Sequence, residues 1–243
     1  MSLRRLFAPQ LPAAKTQLSL GEESRQHAQV LRLGPGDPLQ LFDAAGGRAE
    51  ARVLRCDKRE LMCEVEPAEH VARLGPALTL AVCVPKASKL ELIVRMATEL
   101  GVAGVQLVQS ERAVPKFGSE APKLERLRRI TLEACAQSEQ AYAPELSGPL
   151  PLTAALAHWP ADACKLACVE RSRAAAWPDV TAACPAVCVV VGPEGGFTAA
   201  ELSLFTQAGV QPVSLGDAIL RVETACVVAC ALALERVRAA AAG

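Results

Sequence analysis

The sequence predicts an α/β fold, a mostly parallel sheet covered by helices, preceded by a small β-rich domain. Two observations predict the division. From Ala77 onward, short apolar runs alternate with segments of helical spacing, the signature of strands joined by helical crossovers. The first seventy residues instead carry closely spaced alternating stretches broken by Gly34-Pro35-Gly36-Asp37 and Gly46-Gly47. These read as short strands and tight turns, and so as a small barrel. HVARLGPA, residues 70–77, separates the two rhythms, so the expected domains are 1–73 and 74–243.

The elements follow in order. GEESRQHAQVLR, before the first turn cluster, reads as a short helix with Ala28, Val30 and Leu31 as its apolar members. Residues 78–85 form a buried strand. Leu90, Val94, Ala97 and Leu100 have helical spacing, and Gly101 ends that helix. A strand over 102–110 and a helix over 122–140, opened by Pro122, come next. ACKLACVE (163–170), AVCVVVG (186–192) and VQPVSLG (210–216) are three further strands. Helices fill 153–159 and 198–209, and a long one closes the chain from about Glu223 to Ala240.

At 243 residues, 51% hydrophobic and 21% charged, the chain can bury a substantial core. Only eight residues are aromatic, so that core must be built from Ala, Leu and Val. No apolar run is long enough to span a bilayer, and the first residues lack a signal-peptide pattern. A cytoplasmic location is therefore expected. The ten cysteines lie inside apolar runs such as CKLACV, where thiols act as small buried hydrophobes. With three isolated histidines, no metal site is expected.

Formal net charge is zero, but it is unevenly spread. Residues 74–130 carry nine basic and five acidic side chains, whereas 131–243 carry six and eleven. The basic stretch is either a set of solvated helix faces or a surface for phosphates.

Chemistry should lie in the turns beyond the strands' carboxyl ends. GPEGG, Gly192 to Gly196, is one such turn, and Thr198 with Glu201 makes a capping box behind it. It matches neither the dinucleotide nor the P-loop fingerprint, which leaves a nucleotide-dependent oxidoreductase poorly supported. Glu194 would repel a phosphate and suits a cationic or hydroxyl-bearing ligand; a plain strand-to-helix turn would read the same way. SLGDAILRVETA, Ser214 to Ala225, is the second. Arg221 and Glu223 stand at its helix entry, and Ile219 and Leu220 offer apolar surface of the kind an adenine pocket needs.

GPEGGFTAAEL followed by LGDAILRVETA resembles the ribosomal small-subunit methyltransferase E family, of the knotted SPOUT class of AdoMet-dependent RNA methyltransferases. HAQVLRLGPGDPLQLFD and KLELIVRMATELGVAGVQLVQSERAV extend the resemblance over nearly the whole chain. Five positions depart from the family pattern: Met96, Glu139, Gln140, Ala218 and Val222. The changes at Ala218 and Gln140 remove two positive charges from places where RNA could bind.

The resemblance implies a PUA-like barrel, then a SPOUT domain whose C-terminal segment forms a trefoil knot, in a homodimer. It implies three loops around one S-adenosyl-L-methionine: Val169 and Glu170; Val191, Gly192, Glu194, Gly195 and Gly196; Ser214, Leu215, Gly216, Ile219, Leu220, Thr224 and Ala225. Backbone groups of Leu215, Gly216 and Leu220 would bind adenine, and Glu170 or Glu194 would approach the ribose or the cationic part of the cofactor. The implied reaction is methylation of N3 of a uridine in 16S rRNA of the 30S subunit, with no metal. Arg221 would stabilise developing charge and Glu223 would accept the proton. Arg112, Lys116, Arg126, Arg128 and Arg129 would hold rRNA. A catalytically weak, RNA-binding assembly factor is the alternative.

Overall fold

Alternating apolar residues in the first strands put one side chain in two into a common core. In the computed structural model, which describes residues 4–73, 75–85, 87–113, 121–170, 177–179 and 184–242, the chain divides into two compact units. Unit 1 comprises Met1–Arg73 with Leu132–Ala143, and unit 2 comprises Leu74–Thr131 with Pro144–Gly243.

Unit 1 contains β1 (Arg5–Phe7), β2 (Thr16–Leu20), α1 (Glu22–Val30), β3 (Pro38–Phe42), β4 (Gly47–Cys56), β5 (Leu61–Val65) and β6 (Glu69–His70). The strands run in the order β1-β3-β4-β5-β2, with β6 on β4. β1 and β3 are parallel and the remaining pairs antiparallel. Ala49, Ala51 and Val53 of β4 point into a core with Leu6, Leu39, Leu41, Leu61, Cys63 and Val65. In α1, Ser24 and Ala28 are buried one turn apart. Of the helix's apolar members, Ala28 is buried, whereas Val30, two positions further round, is 79% exposed.

Arg5 is the unusual member of this core, 3% exposed. Its Nη1 donates to the carbonyls of Cys135 (2.9 Å) and Gln140 (3.1 Å), and its guanidinium lies 4.6 Å from the centre of the Phe42 ring. A buried cation is tolerated only with such partners. Arg5 thus fixes the backbone of the 132–143 segment, where Glu139 and Gln140 stand.

Unit 2 begins with β7 (Ala77–Cys83), α2 (Ala87–Leu100) and β8 (Gly104–Gln109). α3 (Ala121–Ser138), which contributes residues to both units, follows. Then come β9 (Glu145–Pro151), α4 (Leu152–Ala157), β10 (Cys164–Cys168), β11 (Ala186–Val191), α5 (Ala199–Gln207), β12 (Gln211–Val213) and α6 (Val222–Ala242). The six strands form one sheet, β12-β10-β11-β7-β8-β9, with every pair parallel.

Both faces are apolar. Leu78, Leu80 and Val82 of β7 and Val187, Val189 and Val191 of β11 pack with residues of α2, α3 and α6. Ala81, Cys83, Cys188 and Val190 face the other way, with Leu152, Ala155 and Leu156 of α4 and Phe205 of α5. Uninterrupted apolar strands are what such double coverage demands. On α6, Ala225, Cys226, Ala229, Cys230, Ala233 and Val237 make a buried stripe at helical spacing.

β9 is the strand that periodicity does not reveal. Gly148 and Pro149 interrupt its pattern, and the register with β8 shifts between Gln106 and Val108. Such residues are accommodated at a sheet edge, where β9 lies. Among the described residues, no helix is long and apolar enough to cross a membrane.

All ten cysteines are free. Burial pushes the thiols of Cys83, Cys168 and Cys188 up to about 12. Because the thiolate is the nucleophile, these groups should resist iodoacetamide at mildly alkaline pH in the folded protein and react fully in denaturant. Intact-mass spectrometry of the alkylated native protein checks this; rapid native labelling of all three would contradict the packing.

Candidate functional site

The parallel sheet brings its chemistry to one edge. The segments after β10, β11 and β12 together wall a cavity of about 620 Å³. Cys168, Val169 and Glu170 come from the first segment, and Val191, Gly192, Pro193, Glu194, Gly195, Gly196 and Phe197 from the second. Leu215, Gly216, Asp217, Ala218, Ile219, Leu220, Arg221, Val222 and Ala225 come from the third. Arg112, beyond β8, and Leu202 of α5 complete the lining.

Local sequence explains the loop shapes. Gly216 has φ +113°, a conformation that side chains with a Cβ rarely adopt. Ser214 Oγ accepts from its backbone N–H at 3.2 Å, making a tight turn. Gly192 leaves room for an intramolecular neighbour, since a Cβ there would meet the Phe197 ring at about 3.0 Å. The Thr198–Glu201 capping box is present: Thr198 N–H donates to Glu201 Oε2 at 2.8 Å, and Glu201 N–H donates to Thr198 Oγ1 at 3.3 Å.

Glu201 does more than cap. It is 5% exposed, and its Oε1 accepts from the backbone N–H of Glu111 at 2.9 Å. The segment after β8 is thereby tied to the start of α5. Next door, Arg112 Nη1 donates to the Gly195 carbonyl at 2.8 Å, and its aliphatic stem lies against Gly195. Ser214 has its own anchor: Trp177 Nε1 donates to its carbonyl at 2.9 Å, and the Arg236 guanidinium stands 5.3 Å from the centre of the indole.

The carboxylate in the glycine turn has a partner from α2. Lys89 Nζ lies 2.8 Å from Glu194 Oε1 and 3.4 Å from Glu223 Oε2. The hydrogen bond to Glu194 is the main reason the Lys89 ammonium titrates above its ordinary value. Glu223 Oε2 is buried, and the Lys89 ammonium is its partner.

Twelve of the fourteen residues expected at the cofactor line the cavity; Ser214 and Thr224 do not. Arg221 is exposed in the lining, while Glu223 lies outside it, in the first turn of α6. Of the residues expected at RNA, Arg112 belongs to the cavity wall. Arg126 pairs with both carboxylate oxygens of Glu91, its Nη2 at 2.9 Å from Oε2, and Arg128 lies 3.6 Å from Glu125. Arg129 is exposed on α3, and Lys116 falls outside the described residues. Sequence reasoning did not single out Lys89, Trp177 or Phe197 for the site. Lys89 lies 105 residues from Glu194, and no local pattern connects positions so far apart. Among the described residues, no group of three or more His, Cys, Asp or Glu side chains could hold a metal ion.

Residues 73–234 match the RNA methyltransferase domain family. The ribosomal RNA small subunit methyltransferase E of a Synechocystis species is 34% identical over 237 residues, covering 95% of this chain and 77% of that protein. A crystal structure of the Neisseria gonorrhoeae ribosomal RNA small subunit methyltransferase E bound to S-adenosyl methionine superposes with a TM-score of 0.88 at 28% identity. It covers 96% of this chain and 98% of the other. A methyltransferase from Legionella pneumophila, in complex with the same cofactor, gives a TM-score of 0.87 at 28% identity, with 96% and 97% covered.

Glu201 carries a direct expectation. Glu201→Ala removes the acceptor of two backbone N–H groups in a buried setting, and should lower unfolding stability by about 2 kcal/mol. Urea denaturation measures it. An unchanged midpoint would show that the two loops are held by other contacts.

Proposed function

The chain belongs to the ribosomal RNA small subunit methyltransferase E family, and from that membership we propose that its cavity binds S-adenosyl-L-methionine and directs methylation of N3 of a uridine in 16S rRNA. One observation carries the reading: three loops, separated by tens of residues in sequence, wall a single cavity that combines apolar and acidic surface.

The residues present fit the cofactor. Leu215, Ile219 and Leu220 supply an apolar flank for adenine beside the Gly216 turn, whose backbone can approach a ligand closely. Glu170 and Glu194 supply carboxylates for ribose hydroxyls or for positive charge. When bound, the cofactor supplies an electrophilic methyl group on a sulfonium. The protein's part is to hold a uracil in line with that carbon.

N3 must shed a proton as it gains the methyl carbon, and Glu223 takes that proton in this reading. Its place in the first turn of α6, two residues from Arg221 in the cavity wall, supports the assignment. Arg221, exposed in the cavity wall, stabilises charge developing on the base. N3 lies on the Watson–Crick edge, so the target uridine has to be unpaired or extruded.

The wider picture is part of the same proposal. Unit 1 is a PUA-like barrel and unit 2 a SPOUT domain with a knotted tail. The knot is supported by connectivity: β12 pairs with β10 at the sheet's edge, yet α6 packs against β7, β11 and α2. Arg126, Arg128, Arg129 and Lys116 contact the RNA, two copies form a homodimer, and the substrate is the 30S subunit in the cytoplasm. Among the family departures, Val222 has a physical account. It is 4% exposed and packs in the apolar core, where a methyl group serves better than a hydroxyl.

Methylation of purified 30S subunits with labelled cofactor tests the roles. Glu223→Gln and Arg221→Ala should each slow turnover by about a hundredfold, and mass spectrometry of 16S rRNA should locate N3-methyluridine. Parental rates in both variants would remove the assignment. Cofactor binding without transfer to any ribosomal particle would instead identify an RNA-binding assembly factor.

A further inference from the structure

The turn after β12 is closed locally and anchored from a distance. Ser214 Oγ accepts from the Gly216 N–H at 3.2 Å and donates to the Gly216 carbonyl at 3.3 Å. These bonds shape the turn but do not fix how it meets the cavity, because both partners belong to it. Trp177 supplies a bond from outside. Its Nε1–H donates to the Ser214 carbonyl at 2.9 Å, across 37 positions of the chain. The indole is held in its turn. It packs against the core that α6 shares with the sheet, and the Arg236 guanidinium stands 5.3 Å from its centre. Arg236 Nη1 donates to the Leu232 carbonyl at 3.2 Å, one helical turn back along α6.

A trans peptide unit is planar, with its carbonyl and N–H pointing opposite ways. The bond from Ser214 to Leu215 is trans, so holding the Ser214 carbonyl also fixes the direction of the Leu215 N–H. Leu215 and Gly216 line the cavity, whereas Trp177 lies behind them.

We infer that Trp177 is a positioning residue for the ligand of this cavity, setting through the Ser214 carbonyl the orientation in which Leu215 and Gly216 meet it. The inference rests on the cofactor reading above. Released from the indole, the peptide unit turns among several orientations, and the ligand binds to the competent one. Apparent affinity then falls in proportion to the population of that orientation. Loss of one neutral hydrogen bond corresponds to about a fivefold change. S-adenosyl-L-methionine and S-adenosyl-L-homocysteine differ by a methyl group and its charge, neither of which the Trp177 bond senses, so the loss is common to both. Trp159, the other tryptophan of the chain, is a matched control. Its Nε1–H also donates at 2.9 Å, to Gln106 Oε1, in the core beneath α4, and neither residue lines the cavity.

Calorimetric titration of both ligands into the full chain tests this. Trp177→Phe keeps an aromatic ring and removes the donor. It should raise both dissociation constants by one factor, about fivefold. In methylation of 30S subunits the KM for the cofactor should rise likewise while kcat holds. Trp159→Phe should lower the urea midpoint and leave both constants at parental values. It also leaves Trp177 as the one indole, whose emission should change on titration with either ligand, with a midpoint at the calorimetric constant. Unchanged constants in Trp177→Phe would make the indole a brace of the core and overturn the inference. So would equal weakening by Trp159→Phe, a fall in kcat with the constants unmoved, or an emission that ignores saturating ligand. If Trp177→Phe does not fold, Arg236→Met takes its place, keeping the indole and removing the cation over it. Both constants should then rise about twofold, and parental constants would overturn the inference. A folded parental protein that binds neither ligand would defeat the cofactor reading itself.

Discussion

Neighbouring parallel strands run the same way, so each must be joined to the next by a crossover, and every crossover leaves from the same edge. That constraint organises unit 2. With apolar residues on both faces of β7 and β11, polar chemistry has no place over the middle of the sheet. It is displaced to the carboxyl ends, where backbone groups lose their ladder partners and loops can turn. The strand order then decides which loops meet. β10 lies between β12 and β11, so three stretches of chain that are distant in sequence end side by side.

Loops placed this way still need to be held. The structure uses a small number of long-range polar contacts, each joining a cavity segment to a different element. Glu201 fastens the Glu111 backbone, Arg112 crosses to Gly195, Trp177 meets Ser214, and Lys89 reaches both Glu194 and Glu223. None is strong by itself. Their value lies in being distributed: Glu201 and Lys89 tie cavity segments to the helices α5 and α2, while Arg112 and Trp177 join one loop to another.

Much of this architecture was legible in the residues. Apolar runs marked five of the six parallel strands, because a strand buried on both faces leaves little room for polar residues. β9 escaped because Gly148 and Pro149 break its pattern at an edge, where half the usual demands are relaxed. The walls of the cavity were legible through the paired GPEGG and LGDAILRVETA stretches, since turns need particular residues at particular places. The side chains behind the walls were not. Lys89 belongs to a basic stretch that reads either as solvated helix faces or as a surface for phosphates, and only its distance to Glu194 reveals a different task. Arg112 is similar: its charge alone does not reveal the Gly195 carbonyl to which it donates. Charge in a sequence carries no address, because partners a hundred residues apart are chosen by topology.

The path of the chain between the two units has one more consequence. It leaves the first after Arg73, returns for Leu132–Ala143, and departs again, with α3 supplying residues to each. Two domains strung end to end can be exchanged between genes by a single join. Here a splice at the 73–74 boundary would separate the amino-terminal strands from the later segment that Arg5 grips. A single cut therefore cannot release unit 1 whole, because its last piece is spelled out inside the sequence of unit 2.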